Sequence, residues 1–323
     1  MTDRLRWVKV LLLLIAFVAT ATPLTTQGGA TKLKVAAAYP GFINDKAWHQ
    51  SGFEALKLIE KELGAQIAYT EKVAQPDQVE VLSDYARRGF DLVFAHGGEF
   101  DEATKRVAAQ FPKVKFATTN GRVVGPNLAT VEINHWQVGY LVGVVAGMMT
   151  KTNKIAIVAA QKLQFVEDWK GGITQGAQAV NPKARVVISY TGNWDDASKG
   201  KEAALAQIAN GADVLFPILD QAIRGIMSAA VEKNVYAVGQ IGDQLDFAPK
   251  NVLTSGIENM SVAWLKLAKL TVERKFQGKH YVVGVETPGA AGLGRFGPMV
   301  PQNVKDRAEA ARKALLAGTI KRQ

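Results

Sequence analysis

Residues 91–118, DLVFAHGGEFDEATKRVAAQFPKVKFAT, contain the unit that decides the fold of this chain. Residues 91–95 and 114–118 are short apolar runs typical of buried strands, and residues 102–110 have the spacing of an amphipathic helix. A strand, a helix and a second strand in this order predict a right-handed crossover between parallel strands. The stretch therefore predicts an α/β fold.

The same alternation continues on both sides of this stretch. Further strands are predicted at residues 34–38, 66–70, 154–159, 184–190, 213–216, 235–240, 252–255 and 281–285. Amphipathic segments separate most of these runs, so helices are expected to cover both faces of parallel sheets. We therefore expect two doubly wound parallel-sheet lobes joined by a multi-strand hinge.

The order of the predicted elements assigns the chain to these lobes. Residues 31–133 and 258–285 are predicted to form lobe 1, and residues 134–257 and 286–323 are predicted to form lobe 2. Open parallel sheets bind ligands beyond the carboxyl ends of their strands. A crevice shared by the two lobes is therefore the expected ligand site.

One predicted helix, at residues 137–149, has a glycine at every fourth position, namely Gly139, Gly143 and Gly147. This spacing is found where membrane helices pack against each other. In a chain with this α/β pattern, we expect it to let the helix lie close to a sheet.

The amino terminus has the pattern of a secretory signal peptide. Arg4, Arg6 and Lys9 precede an apolar run at residues 10–19, which small residues follow. A membrane-spanning helix needs roughly 20 apolar residues, more than this run provides. Residues 1–30 are therefore predicted to be a signal peptide, and the rest of the chain is expected to work in the periplasm.

The composition excludes several kinds of site. The chain has no cysteine, which excludes disulfides, thiolate metal sites and a lipid anchor attached to cysteine. We therefore expect a freely diffusing protein. The net charge is +10, but basic and acidic residues alternate along the predicted helices, which favours a solvated surface over a nucleic-acid interface.

Candidate ligand-binding residues are those that follow the predicted strands. In lobe 1 they are Phe42, Asn44, Asp45, Trp48, His96, Gly97, Gly98 and Asn120. In lobe 2 and the return crossing they are Trp169, Trp194, Asp220, Gln240, Asp243 and Glu258. Structural roles stay open for several of them: helix capping for Asn44, Asp45 and Asp220, tight turns for the glycines and Asn120, and core packing for the three tryptophans.

Two lobe 2 loops place aromatic residues beside carboxylates. Residues 165–169 read FVEDW and residues 192–196 read GNWDD. Aromatic faces flanked by oxygen acceptors suit a flat heterocycle, and stacking contributes about 1–3 kcal/mol for each base in nucleic-acid sites. These loops therefore indicate a planar ligand.

No enzyme signature is convincing in this sequence. Residues 292–297 match the GxGxxG pattern, but Pro298 follows and too little chain remains for a dinucleotide-binding unit. The four histidines lack metal-ligand spacing. No catalytic residue, metal or cofactor is therefore expected.

Five segments of the chain carry motifs of a known protein family. They are residues 41–48 (GFINDKAW), 92–100 (LVFAHGGEF), 190–196 (YTGNWDD), 199–204 (KGKEAA) and 253–255 (LTS). Together they resemble the basic membrane protein (BMP) family of ABC-transporter substrate-binding proteins. The resemblance covers residues 31–320 and implies a type I periplasmic-binding-protein fold. It also implies that the lobes close on a ligand, often a purine nucleoside, for delivery to a membrane permease.

The resemblance assigns roles to individual residues. Asp45 and Trp48 match an acid-then-aromatic loop of the family, and Trp169 matches an aromatic residue that stacks on the base. Asp243 lies near the family's second-lobe acidic segment. Ile241 stands where the family commonly has Asp, and Glu258 where it commonly has Lys, at positions that serve the sugar. These two departures favour a free nucleobase over a nucleoside.

The sequence therefore predicts a monomeric, non-enzymatic binding protein for a purine-type nucleobase or nucleoside, with an ABC permease as its partner and no cofactor. Three alternatives remain open. They are a binding protein for another flat ligand such as a flavin, an exported nucleoside hydrolase, and an accessory domain of a receptor.

Overall fold

The computed structural model describes residues 32–45 and 48–323. The predicted signal peptide lies outside the described residues. Within them, no helix is both long enough and apolar enough to cross a membrane.

Twelve strands form two six-stranded sheets in the described part of the chain. The first sheet contains β1 (Lys34–Ala38), β2 (Gln66–Thr70), β3 (Leu92–His96), β4 (Lys115–Thr119), β5 (Leu128–Ile133) and β11 (His280–Val283). The second contains β6 (Lys154–Ala159), β7 (Arg185–Tyr190), β8 (Val214–Ile218), β9 (Tyr236–Ile241), β10 (Val252–Glu258) and β12 (Ala291–Leu293). The expected α/β fold with two doubly wound sheets is confirmed.

The two sheets have matching strand orders. The first runs β11-β5-β4-β3-β1-β2 and the second runs β12-β10-β9-β8-β6-β7. All paired strands are parallel except β10 and β12. The chain passes between the sheets after β5, after β10 and after β11. Three crossings form the hinge, and the exact lobe boundaries given above stay a prediction.

Nine α-helices cover these sheets in the described residues. They are α1 (Trp48–Leu63), α2 (Gln78–Arg87), α3 (Asp101–Gln110), α4 (His135–Met149), α5 (Gln164–Val180), α6 (Ala197–Ala209), α7 (Ile223–Lys233), α8 (Met260–Val272) and α9 (Gln302–Leu316). The central strands β3, β6 and β8 are almost fully buried, as expected for parallel strands covered on both faces, whereas the edge strands β2 and β7 are partly exposed.

The glycines of α4 differ from the sequence-based expectation. They face the backbone of α5 rather than a sheet: an added Cβ would lie 2.7 Å from the Trp169 carbonyl oxygen at Gly139 and 2.7 Å from the Ala177 carbonyl oxygen at Gly147. Helix α5 contributes Gly172 and Gly176 to the same contact. The glycine spacing therefore marks a close crossing of two helices in the second lobe.

Candidate functional site

The two lobes meet at the carboxyl ends of their strands. The Gln221 side-chain amide, after β8, donates a hydrogen bond to the backbone carbonyl of Asp45, after β1. The backbone N–H of Gln221 also donates to the Asp195 carboxylate, at 3.3 Å. Three loops from two lobes therefore converge at one point of the cleft.

The Asp45 carboxylate caps α1. It accepts hydrogen bonds from the backbone N–H groups of His49 (2.9 Å) and Gln50 (3.0 Å). Asn44 is exposed. Phe42 is 53% exposed, and the Lys72 ammonium lies 4.6 Å from its ring centroid. Asp45 therefore has the helix-capping role that the sequence left open.

Trp48 and His96 form a stacked pair in lobe 1. Their ring centroids are 4.2 Å apart, and His96 Nε2 lies 3.0 Å from the Trp48 carbonyl oxygen. Burial lowers the pKa of the fully buried His96 to about 3, so its imidazole is neutral at physiological pH. The neutral His96 ring thus packs against one face of the half-buried Trp48 ring.

Gly97, Gly98 and Asn120 shape the backbone at the ends of β3 and β4. Gly97 has φ of 141°, a conformation that other residues rarely adopt. Gly98 packs against the Asn120 backbone, where an added Cβ would lie 2.9 Å from the carbonyl oxygen. Asn120 is left-handed, with φ of 55°. These three residues bring two lobe 1 loops together.

Buried polar atoms without a hydrogen-bond partner among the described residues occur at the cleft ends of both sheets. They include Tyr39 Oη, Thr118 Oγ1, Asn120 Oδ1 and Gln240 Oε1. Buried polar groups are normally paired. These four atoms have hydrogen-bonding capacity available for a ligand in the cleft.

Two aromatic rings line the lobe 2 side of the cleft. Phe165 and Trp194 are stacked, with centroids 6.2 Å apart and ring planes 19° apart. The Trp194 backbone carbonyl accepts hydrogen bonds from the N–H groups of Asp220 (2.9 Å) and Ala222 (3.1 Å). The loop that carries Trp194 is therefore fixed to the end of β8.

Trp169 does not have the position that the family resemblance implied. It is 0% exposed and lies in the core, with its ring centroid 4.7 Å from that of Phe216. Its ring also packs against Gly256. Phe165, one turn earlier on α5, reaches the cleft instead, because the first turn of this helix faces the strand ends. Residues 165–169 stand out in the sequence, but Phe165 is not among the residues expected to bind the ligand.

Asp220 does not cap α7, which begins without a side-chain cap. Burial in the cleft, together with the carboxylates of Asp45, Asp195 and Glu99, raises the pKa of Asp220 well above its usual value. Electrostatic repulsion among four carboxylates from the two lobes is therefore concentrated at this point. Glu99 was not nominated from the sequence, since only tertiary structure brings it here.

Replacing Asp220 with asparagine is expected to raise the free energy of unfolding at pH 7, by roughly 0.5–2 kcal/mol. An acid whose pKa is raised in the folded state costs stability once the pH exceeds its unfolded value, near 3.9. The gain should therefore disappear at about pH 4. Urea unfolding at the two pH values tests this, with the exposed Asp77→Asn as control. A loss of stability at pH 7 would contradict the assignment.

The Asp243 carboxylate, after β9, is held in an ion pair and is not free to bind a ligand in this conformation. Asp243 is paired with Arg295 at 2.8 Å, and Arg295 also binds Asp246, at 2.8 Å. Because Arg295 belongs to the glycine-rich segment at residues 292–297, this segment anchors the loop after β9.

Gln240 is buried at the end of β9. Ile241 follows with φ of 69°, a strained conformation for a β-branched residue.

Glu258 and His135 form a buried pair across two hinge crossings. His135 Nδ1 is hydrogen-bonded to the Glu258 carboxylate, and the two residues are 3% and 4% exposed. Burial opposes the charged imidazolium, but the carboxylates of Glu258, Glu132 and Asp168 more than offset it and raise the pKa of His135. The pair links the start of α4 to the end of β10.

The described residues contain no group of three or more His, Asp or Glu side chains arranged to hold a metal ion. The cleft instead offers aromatic faces, carboxylates and amides. This combination suits an uncharged or donor-rich planar molecule.

Comparison with known proteins finds matches over most of the chain. A family model described as Bmp, ABC transporter substrate-binding protein PnrA-like, matches residues 32–320. The chain is 28% identical over 275 residues to a transcriptional activator protein of Bacillus subtilis, covering 85% of this chain and 86% of that protein. It is 27% identical over 302 residues to a purine-binding protein of Brucella abortus, covering 91% and 85%.

A solved structure agrees with this picture. An ABC transporter solute-binding protein of Conexibacter woesei superimposes with a TM-score of 0.72 and 28% sequence identity, covering 90% of this chain and 98% of that one.

Proposed function

The chain belongs to the Bmp family of ABC transporter substrate-binding proteins, and from this premise we propose that it binds a purine-type nucleobase between its two lobes. The protein works in the periplasm after removal of residues 1–30. It acts as a monomer and presents the base to an ABC permease without chemical change.

The observation that carries this proposal is the stacked pair Phe165 and Trp194 at the cleft. Asp195, Asp220 and Gln221 lie on the adjoining loops and reach lobe 1 at one point. Stacking supplies about 1–3 kcal/mol for each base. Specificity comes from the polar groups, since a buried donor or acceptor left unpaired costs roughly 1–3 kcal/mol.

Two residues favour a base over its nucleoside. Ile241 presents no hydrogen-bonding group to a sugar, and the Glu258 carboxylate is already paired with His135. Hydroxyl groups of a ribose would therefore lose water without gaining equivalent partners. The name of the Brucella abortus relative, a purine-binding protein, supports a purine as the guest.

A thermal-shift panel tests the ligand class. The protein is first unfolded to remove any bound ligand and is then refolded. We expect adenine or guanine to raise the melting temperature more than adenosine or guanosine at the same concentration, because the ligand with the lower Kd stabilises the folded protein more. A ligand at 100 times its Kd stabilises the folded protein by about 2.7 kcal/mol. A larger shift with the nucleosides would overturn the interpretation of Ile241 and Glu258. A shift with riboflavin alone would favour the flavin alternative.

The aromatic pair is tested by substitution. Phe165→Ala and Trp194→Ala are each expected to weaken binding of the base roughly 5- to 150-fold, the equivalent of about 1–3 kcal/mol of stacking. Tyr236→Ala, which removes a partly buried ring at the start of β9, at the end of the sheet away from the cleft, is the matched control and should leave Kd unchanged. Isothermal calorimetry measures all three.

The absence of chemistry is tested separately. Mass spectrometry after incubation should return adenosine and guanosine intact. Release of ribose would show a nucleoside hydrolase and contradict the carrier function.

A further inference from the structure

A basic pocket lies at the end of lobe 1 that is remote from the cleft. It has a volume of about 610 Å³ and forms where α8 ends and β11 begins. Because the strands of the first sheet are parallel and their carboxyl ends face the cleft, the start of β11 lies at the opposite end of the sheet. Its principal lining residues are Lys266, Arg274, Lys275, Lys279, Phe276 and Tyr281.

The positive charge of this pocket is largely uncompensated. Lys275 is paired with Glu273 at 3.0 Å, whereas the ion pairs within residues 32–45 and 48–323 include none to Lys266, Arg274 or Lys279. The Lys279 ammonium lies 5.0 Å from the Tyr281 ring centroid. Four cations thus surround a concave surface that also contains two aromatic rings.

The turn that carries Arg274 and Lys275 has a defined backbone conformation. Arg274 has φ of 56°, a left-handed conformation usually occupied by glycine after a helix. The N–H groups of Arg274 and Lys275 donate to the carbonyls of Thr271 (3.1 Å) and Leu270 (2.8 Å) and close α8. Gly278 lies so close to the Gly125 carbonyl that no Cβ would fit. The turn is therefore fixed against the loop before β5.

We propose that this pocket binds the phosphate group of anionic phospholipids and holds the protein reversibly at a membrane surface. Several Lys and Arg side chains close together attract an anionic bilayer surface, and the partly buried Phe276 ring adds apolar surface beside them. The chain has no cysteine that could carry a lipid anchor. Because the pocket lies at the far end of lobe 1, a docked protein keeps its cleft open to ligand.

Vesicle flotation tests this proposal. The purified protein should float with phosphatidylcholine vesicles that contain phosphatidylglycerol, but not with phosphatidylcholine alone, and about 0.5 M salt should release it. The triple variant Arg274→Glu, Lys275→Glu, Lys279→Glu should weaken binding about 100-fold or more, the equivalent of about 1 kcal/mol at each position. Binding of the base in the cleft should be unchanged.

A variant with the same change in net charge elsewhere is the control. Lys183→Glu, Lys250→Glu, Lys313→Glu changes exposed cations of the second lobe and should retain vesicle binding. Equal loss in the two variants would show a net-charge effect and overturn the proposal. Full displacement by millimolar glycerol phosphate would identify a soluble phosphate as the occupant and also overturn it. If the triple variant misfolds, Lys266→Gln with Lys279→Gln should weaken binding about 10-fold or more.

Discussion

Replacing His135 with leucine is expected to lower the free energy of unfolding by about 3–5 kcal/mol. The substitution leaves the Glu258 carboxylate buried between two hinge crossings without its partner. Replacing both members, as His135→Leu with Glu258→Met, should cost much less, because apolar residues of similar size often substitute for a buried pair without loss. Urea unfolding of both variants measures this difference.

The His135 prediction also has a pH dependence. The folded-state pKa of His135 is raised, so its contribution is fully present below its unfolded value, near 6.5, and is lost as the pH rises through the folded value. Wild type should therefore lose stability relative to the double variant as the pH increases above about 6.5. Equal pH profiles would show that folding does not raise the pKa of His135 and would contradict this prediction.

Replacing Gly176 with alanine is expected to lower the free energy of unfolding by about 3 kcal/mol, at the upper end of overpacking costs. The added Cβ would come against the backbone carbonyl of Tyr140 on α4, closer than side chains normally approach. Backbone cannot rotate away as a flexible side chain can, so the two helices must separate. Thermal or urea unfolding measures the loss.

Gly171 on the same helix is the matched control. An added Cβ there would lie 3.9 Å from the nearest atom, Trp136 Cδ1, which is an ordinary contact. Gly171→Ala should therefore be neutral or raise stability by up to about 1 kcal/mol, because alanine favours helix more than glycine does. If the two substitutions had equal effects, helix propensity rather than the close crossing would explain the glycines.

The fold was predictable from the sequence because each βα unit carries its own local signal. The predicted strands at residues 34–38, 66–70 and 154–159 match β1, β2 and β6. Strand β5 was missed, because Thr130 and Glu132 interrupt its apolar pattern. The structure buries both side chains, and Glu132 is paired there with Arg122 at 2.9 Å and with His280 at 3.0 Å.

The candidate site was predictable in location but not in detail. Residues after the strands do converge at the cleft, because parallel strands end at the same edge of a sheet. Which aromatic ring of α5 reaches this edge depends on how far the helix has turned when it meets the sheet. Trp169 and Phe165 are both apolar and lie on the same helical face, so the sequence could not separate them.

Sequence alone determined the order of most strands and helices, the two-lobe α/β fold and the family, because these depend on local periodicity and on motifs that are contiguous in the chain. Tertiary structure decided which side chains meet. Glu258 and His135 are 123 positions apart, and Gln221 and Asp45 are 176 positions apart. Such pairs form only when separate elements pack together, and no local pattern in the chain records that packing.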